Sequence, residues 1–421
     1  MRVLIVGGGA REHALVWRAL QSPLVEHVFC APGNAGTGMI ARNVPIAATD
    51  IVGLLAFARE NGVDLTIVGP ESPLIAGLAD DFRAHGMVVF GPSGKAARLE
   101  GSKAWTKDLL HKYGIPCARS ANFSSAKEAK EYVLSQPLPI VVKADGEALG
   151  KGVTIARTHE EAVAAIARLM EERVFGAAGD TVVIEECLSG PEVSVLAFTD
   201  GRTVVPMAPA CDYKRAYDGD EGPNTGGMGS YSPTSYVDAA LLERIRETIL
   251  EPTVRALAAE GSPYQGVLYA GLMLTSEGPK VLEFNARFGD PEAQVILPRL
   301  KSDLVRIALA VAEERLAELK VEWDERAAVG VVLASGGYPG EITKGHAICG
   351  LDELDEGILP FHGGTTLVGG KVVTAGGRVL TIVAMGSSLA EARERVYANV
   401  RRVRFDGMQY RKDIAAREVK T

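Results

Sequence analysis

Apolar positions in the first hundred residues come in short unbroken runs rather than in alternation: VLIV at 3–6, HVFC at 27–30, DLTIVG at 64–69 and MVVFG at 87–91. Runs of this length, rich in Val and Ile, predict strands buried on both faces. The amphipathic stretches between them, at 11–21 and 50–61, predict helices covering a parallel sheet. Each run ends in a Gly or Pro turn (GGGA, APGN, GPES, GPSG). These turns therefore lie at the carboxyl ends of the strands, where open α/β sheets bind ligands. The result is a doubly wound α/β domain over 1–101.

From 102 the pattern changes. A helix is predicted at about 102–113, then a small α/β unit: helix 125–135, strand PIVVKA at 139–144, the turn DGEALGKG, strand VTIA at 153–156, helix 159–173 and strand TVVIEE at 181–186. Two short strands joined by a glycine turn predict a flap. A strand at 193–199 leads into a polar segment over 209–233, read as a long functional loop. Helix 237–259 precedes an antiparallel pair, 267–275 and 280–286. From about Arg326, short strands with Gly turns and a helix near 389–404 predict a third domain of α+β type.

Composition changes this picture only by exclusion. The chain has 421 residues, 47% hydrophobic and 23% charged, ordinary for a folded globular protein. A net charge of −8 gives no global attraction to nucleic acid or an anionic membrane. The five cysteines are widely spaced without C-x-x-C, and the seven histidines show no ligand spacing; a reducing cytoplasm is the expected setting, with no zinc site. No apolar stretch is long enough to span a bilayer. Glycine is in excess, 47 residues or about 11% against a usual ~7%, and that excess sits in the turns.

At Val6-Gly-Gly-Gly-Ala-Arg-Glu-His13 a strand turns into a helix whose amino end could hold a phosphate. Gly7 and Gly9 match the start of G-x-G-x-x-G, but the third glycine is Glu12 and no acid ends the next strand, which disfavours a dinucleotide. GPSGKAA at 91–97 has the wrong spacing for a P-loop, and Ala96 replaces its Ser or Thr. Lys143 closes an apolar strand, so its ammonium either snorkels to solvent or meets an anion. The adjacent turn carries Lys151, and the two together suit a polyphosphate. Glu283 and Asn285 stand two apart on a strand with Phe284 between, so they share a face that Arg287 continues, with Asp290 just beyond. Such a pair is either the polar side of an edge strand or an oxygen donor set for Mg²⁺. The segment Asp212-Tyr-Lys-Arg215 with Gly222-Pro-Asn-Thr-Gly-Gly-Met-Gly229 is either a solvated loop or a close-approach ligand loop.

These strings, with APGNAGT (31–37), TIVGPE (66–71), LEGSKAWTK (99–107), VVKADGEALGKGV (141–153), VVIEECLSGPEVS (182–194), LEFNARFGDPE (282–292) and SGGYPG (335–340), closely resemble the glycinamide ribonucleotide synthetase family of the ATP-grasp superfamily, along essentially the whole chain. The resemblance implies a central ATP-grasp α+β unit at 102–325 with a flap subdomain at about 120–188, and a small carboxy-terminal α+β domain at 326–421. It implies an ATP-dependent carbon–nitrogen ligase of purine biosynthesis that joins glycine to 5-phosphoribosylamine through a glycyl phosphate, with release of ADP and phosphate. The cofactors implied are ATP and Mg²⁺, with Mn²⁺ as an alternative. The partners are those small molecules and, transiently, the enzyme supplying the amine.

By the same resemblance Lys103 and Lys143 hold ATP phosphates, with Gly150, Lys151 and Gly152 in the closing turn. Glu185 and Leu188 look like adenine contacts and Glu192 like a ribose contact. Glu283 and Asn285 would be the metal ligands, while Arg287 and Lys143 carry the chemistry. Gly9, Arg11, Glu12, Asn34, Gly36, Thr37, Asp212, Lys214 and Arg287 suit the two substrates. The sequence departs from the family pattern at Ala10, usually glycine; at Tyr213, usually histidine; at Glu147 and Leu149 in the flap; and in VLYAGLMLT, which lacks an acid. Another ATP-grasp carboxylate–amine ligase, or a nucleotide-binding regulator without turnover, remains the alternative.

Overall fold

A computed structural model describes residues 1–146 and 152–419. Strands Arg2–Gly7, His27–Pro32, Arg42–Asn43, Leu65–Val68 and Val89–Phe90 form one all-parallel sheet. The strand at its centre is Arg2–Gly7, flanked by His27–Pro32 and Leu65–Val68. Val3, Leu4, Ile5 and Val6 are wholly buried, as an uninterrupted apolar run requires when helices cover both faces. The order in which strands are added reverses at the central strand, so the crevice for a ligand opens beyond Gly7 and Val68. That crevice is filled from within. A Cβ on Gly7 or Gly69 would stand 2.6 or 2.0 Å from atoms of the Glu12 side chain, which explains both glycines.

The flap is a separate four-stranded sheet, ordered Ser120–Phe123, Val182–Glu186, Ile140–Ala144, Val153–Ala156, with its own hydrophobic core built on Val142, Ile166 and Ile184. The sheets before and after it share two continuous cores that run from the first domain through the central sheet into the last. The flap therefore joins the body through few apolar contacts, the condition for moving as a unit. Its docking point is polar: the Asp145 carboxylate accepts from Ser102 Oγ at 3.0 Å and Ala104 N–H at 2.7 Å, at the amino end of helix Lys103–Lys112.

The central sheet is antiparallel, ordered Val204–Pro206, Glu192–Asp200, Gln265–Thr275, Gly278–Asn285. The last two strands pair as expected, with an irregularity that sets Gly271 opposite Glu283 and Leu272 opposite Val281. The polar segment at 209–233 differs from the loop expected for it. It contains Cys211–Asp212, a small hairpin of Arg215–Tyr217 and Glu221–Asn224, and Gly229–Ser232, of which the first and last join the carboxy-terminal sheet with Ala327–Ala334, Arg378–Gly386 and Leu359–His362. Polarity misleads here because the buried hydroxyls are satisfied internally: Ser230 donates to Cys211 C=O at 2.8 Å and Ser232 to Pro209 C=O at 2.7 Å. Helix Leu389–Val400, capped by Ser388, buries Ala392, Val396 and Val400 at a four-residue spacing that keeps them on one face against this sheet.

The first and last domains meet at two histidines. His13 Nδ1 accepts the His362 backbone N–H at 2.8 Å, and the rings lie 5.5 Å apart. Burial draws His13 down to about 3, with His362 adding to it, and burial draws His362 to about 4. Both are lowered, so both are neutral in the fold while the unfolded chain takes up protons below pH 6.5. Stability is thus present above that pH and lost as it falls, by about 2 kcal/mol per histidine between pH 6.5 and 5. Melting temperatures across that interval should fall in the parent and fall less in His13→Asn. An equal slope in both would remove His13 from the account.

Candidate active site

Three parts of the chain bring cations to one place. Lys103 and Lys107 stand one turn apart on helix Lys103–Lys112; Lys143 ends its flap strand; Lys214 follows Cys211–Asp212. Lys103 Nζ donates to Gly146 C=O at 3.1 Å. Lys143 Nζ donates to the Glu185 carboxylate at 2.9 Å and, more weakly, to Leu282 C=O at 3.4 Å. The sheet register puts Glu185 opposite Val141, so Lys143, two residues on, shares its face. The snorkelling alternative for Lys143 therefore fails: it is buried and paired.

Glu283 lies in the middle of these groups. Burial pushes its carboxyl up, but Lys214, Lys143, Lys103 and Arg287, in that order, pull it below the usual carboxylate range. Asn285 Oδ1, on the same face, accepts from Arg287 Nη2 at 3.1 Å. Among the described residues no group of three or more His, Cys, Asp or Glu could hold a metal alone. Two oxygens amid four cations suit Mg²⁺ only when phosphate supplies the remaining charge and ligands.

Arg287 is the most constrained of the cations. Its guanidinium reaches Glu71 at 3.0 Å and Glu100 at 2.8 Å, both from the first hundred residues. Glu71 is drawn down to about 2: its burial opposes this, and Arg287 and then Arg11 outweigh it. Burial raises Glu100 to about 7 despite Arg287. Arg11 Nε donates to Glu12 at 2.6 Å and its Nη1 to Phe288 C=O at 3.2 Å, while Glu12 also accepts the Gly9 N–H at 2.6 Å. Arg11, Glu12 and Arg287, expected at the substrates, thus belong to one buried ionic network. Neither Glu71 nor Glu100 was identified from sequence; Glu71 lies in the TIVGPE string and Glu100 in LEGSKAWTK, which are the only signals they carry.

Asn34 and Thr37 are occupied within their own turn. Asn34 Nδ2 donates to Gly8 and His362 C=O at 3.0 and 2.7 Å, and its Oδ1 accepts from the Gly36 and Thr37 N–H groups. Thr37 Oγ1 accepts the Asn34 N–H at 2.7 Å. Gly36 admits no side chain, since a Cβ would meet the His13 and His362 rings at 2.4 and 2.5 Å. Gly9 and Ala10 line a cavity of about 170 Å³ closed by Asp290, Gly363, Gly364, Arg378, Leu380 and Thr381. Arg378, missed in the sequence because GGRVL carries no motif, ion-pairs with Asp290 at 3.1 Å and donates to Gly226 C=O at 2.6 Å.

Glu192, exposed, pairs with Lys214 at 3.0 Å. Burial lifts Asp212 to about 7, against the pull of Lys214. Leu188 lies half-buried in the link between flap and central sheet. Tyr213 explains its own departure from histidine: its ring stacks with the guanidinium groups of Arg411, 4.6 Å away, and Arg417, 4.8 Å away. Arg411 is fully buried and also donates to Arg215 C=O at 3.1 Å and Asp220 at 2.9 Å, so the carboxy-terminal arm pins the hairpin after Lys214. Gly152 follows the turn and is buried. Gly150 and Lys151, with Glu147 and Leu149, lie outside the described residues.

A doubly wound sheet, an antiparallel central sheet and a separate flap sheet, with lysines from the flap, helix Lys103–Lys112 and the 209–233 segment converging on a strand-borne Glu and Asn, define an ATP-grasp ligase. The family described as phosphoribosylglycinamide synthetase matches in its N domain over residues 1–100, its ATP-grasp domain over 101–293 and its C domain over 328–417. The chain belongs to this family and is an ATP-dependent ligase of purine biosynthesis. It is 52% identical to a phosphoribosylamine–glycine ligase of Caldanaerobacter subterraneus, with 99% of this chain and 100% of that protein covered. The crystal structure of phosphoribosylamine–glycine ligase from Thermotoga maritima superposes with a TM-score of 0.87 at 37% identity, covering 99% and 100% of the two chains. The biotin carboxylase domain of Hydrogenobacter thermophilus 2-oxoglutarate carboxylase, solved with magnesium ADP, shares the fold at 16% identity and a TM-score of 0.76, over 97% and 91%. Among the described residues no helix is long and apolar enough to cross a membrane.

Proposed function

We propose that the chain joins glycine to 5-phosphoribosylamine in the cytoplasm, with ATP as co-substrate and Mg²⁺, or Mn²⁺, as the metal. The observation carrying this reading is the convergence of Lys103, Lys143, Lys214 and Arg287 on Glu283. A carboxylate is a poor acyl donor, so the glycine carboxylate attacks the γ-phosphorus of ATP and ADP leaves. The amine nitrogen then attacks the acyl carbon of the glycyl phosphate, phosphate departs and an amide forms. Negative charge develops in both steps, and fixed cations stabilise it best where water is sparse.

Lys103 and Lys143 hold the phosphates, and Gly150, Lys151 and Gly152 are assigned to the same ligand. Glu185 and Leu188 face the adenine and Glu192 the ribose. Glu283 and Asn285 would hold the metal, which would supply positive charge to offset the phosphates. Arg287 steadies the acyl phosphate and the tetrahedral intermediate. Asp212 and Lys214 receive glycine. The cavity at Gly9 and Ala10 receives the ribosyl phosphate, against Arg378 and the helix amino end whose first N–H groups have no intrahelical partners. Arg11, Glu12, Asn34, Gly36 and Thr37 shape the turns around it. The division at 1–101, 102–325 with the flap at about 120–188, and 326–421 belongs to the same reading, as does a transient contact with the enzyme supplying the labile amine.

The test is ADP formation with Mg²⁺ and ATP, comparing glycine alone, phosphoribosylamine generated in situ alone, and both, with the product weighed by mass spectrometry. Turnover only with both, and a product of the amide's mass, is expected. ATP binding without such turnover would overturn the substrate assignment.

A further inference from the structure

Lys107 lies beside the phosphate lysines, yet nothing in the reaction above uses it. It is 3% exposed, and its Nζ stands 3.3 Å from Glu185 Oε1, close enough for an ion pair but outside hydrogen-bond geometry. Glu185 is 2% exposed, and its other oxygen takes the hydrogen bond from Lys143. One buried carboxylate thus serves two buried ammonium groups. Cys117, the remaining titratable neighbour of Lys107, adds no counter-charge, because burial pushes its thiol up. Burial, with Lys143 adding to it, also draws Lys107 below the ordinary lysine range, while Glu185 holds it up.

The count of charges has a consequence. A closed Lys143–Glu185 pair would be neutral, and Lys143 could turn to a phosphate only by leaving a buried carboxylate without a counter-ion, which is strongly unfavourable. We propose that Lys107 is a positioning residue that keeps Glu185 neutralised and so frees the Lys143 ammonium for the triphosphate of the nucleotide. With Lys107 in place the trio carries one unbalanced positive charge in a dry site, and a polyanion supplies what is missing. Lys107 itself touches no phosphate.

This rests on the placement of the triphosphate at Lys103 and Lys143 proposed above. The experiment is calorimetric binding of magnesium ATP, and separately of inorganic tripolyphosphate, which has no adenine, to the full chain and to Lys107→Met, Lys107→Gln, Lys107→Arg and Lys107→Met/Glu185→Gln. Both neutral variants are expected to weaken both ligands by on the order of 10- to 100-fold. Lys107→Arg should stay within about threefold of the parent, since the charge is kept. The double variant should recover most of the lost tripolyphosphate affinity, because Lys143 then has no carboxylate to abandon. A purely structural role for Lys107 would make the double variant as weak as the single one. That outcome, or neutral variants binding like the parent, overturns the proposal. A parent chain that binds neither ligand overturns the nucleotide placement instead.

Discussion

Arg287→Ala loses turnover by roughly 10²- to 10³-fold, the range for removing one pre-placed donor to developing negative charge, while magnesium ATP affinity stays within about threefold of the parent. The split is expected because Arg287 is held by Glu71 and Glu100 of the first hundred residues rather than by any flap residue. Single-turnover kinetics and calorimetry separate the two quantities, and a loss confined to ATP affinity would remove Arg287 from the acyl-transfer step. The same variant has a stability signature with a definite sign. Removing the guanidinium leaves Glu71 and Glu100 facing each other with Arg11 as their remaining cation. Their carboxyls then titrate higher in the fold than in the unfolded chain, so stability falls as pH rises above 4.5. Glu100, already raised to about 7, takes a proton readily, which keeps the loss near pH 6 below the ~3–5 kcal/mol of a stranded buried charge. Melting should therefore be lower at pH 8 than at pH 6 by more in Arg287→Ala than in the parent. Arg287→Lys does not restore turnover, since one ammonium cannot bridge two carboxylates as the guanidinium fork does.

Lys143→Met is expected to cost more in binding. Lys143 is the proposed holder of ATP phosphates as well as a partner of Glu185, and on that proposal its loss lowers kcat/KM by at least about 10²-fold with KM for ATP rising in step. The fold should survive, because Glu185 retains Lys107 at 3.3 Å. Unchanged KM with normal melting would show that the phosphates lie elsewhere.

The strands of the first domain were legible because an apolar run buried on both faces has no other reading, and Val3 to Val6 meet that description without exception. The face shared by Glu283 and Asn285 was legible for the same reason, since side chains alternate along a strand. What spacing does not carry is a partner from another domain: Glu71 stands 216 residues from Arg287, and no local pattern joins them. Polarity was the second obstacle. Ser230 and Ser232 read as loop, yet both are fully buried, because the hydroxyls bond to carbonyls of the neighbouring segment. Glu12 was a third case. Its place in the glycine fingerprint disfavoured a dinucleotide, but only the fold shows its carboxylate accepting the Gly9 N–H.

The clasp that Arg411 forms with the 215–224 hairpin also sets an order of events during synthesis. Arg411 is 196 positions from Arg215, so at 5–20 residues per second the ribosome needs about 10–40 s to deliver it after the hairpin. Through that interval the Tyr213 ring lacks both guanidinium groups that stack on it, and for roughly its first half the strand Gly229–Ser232 also lacks its neighbour Ala327–Ala334. The nascent chain can complete its flap and central sheet long before the hairpin is clasped, and a ribosome stalled before Ala327–Ala334 emerges would hold a chain with Gly229–Ser232 as an open sheet edge, the kind of surface a chaperone recognises.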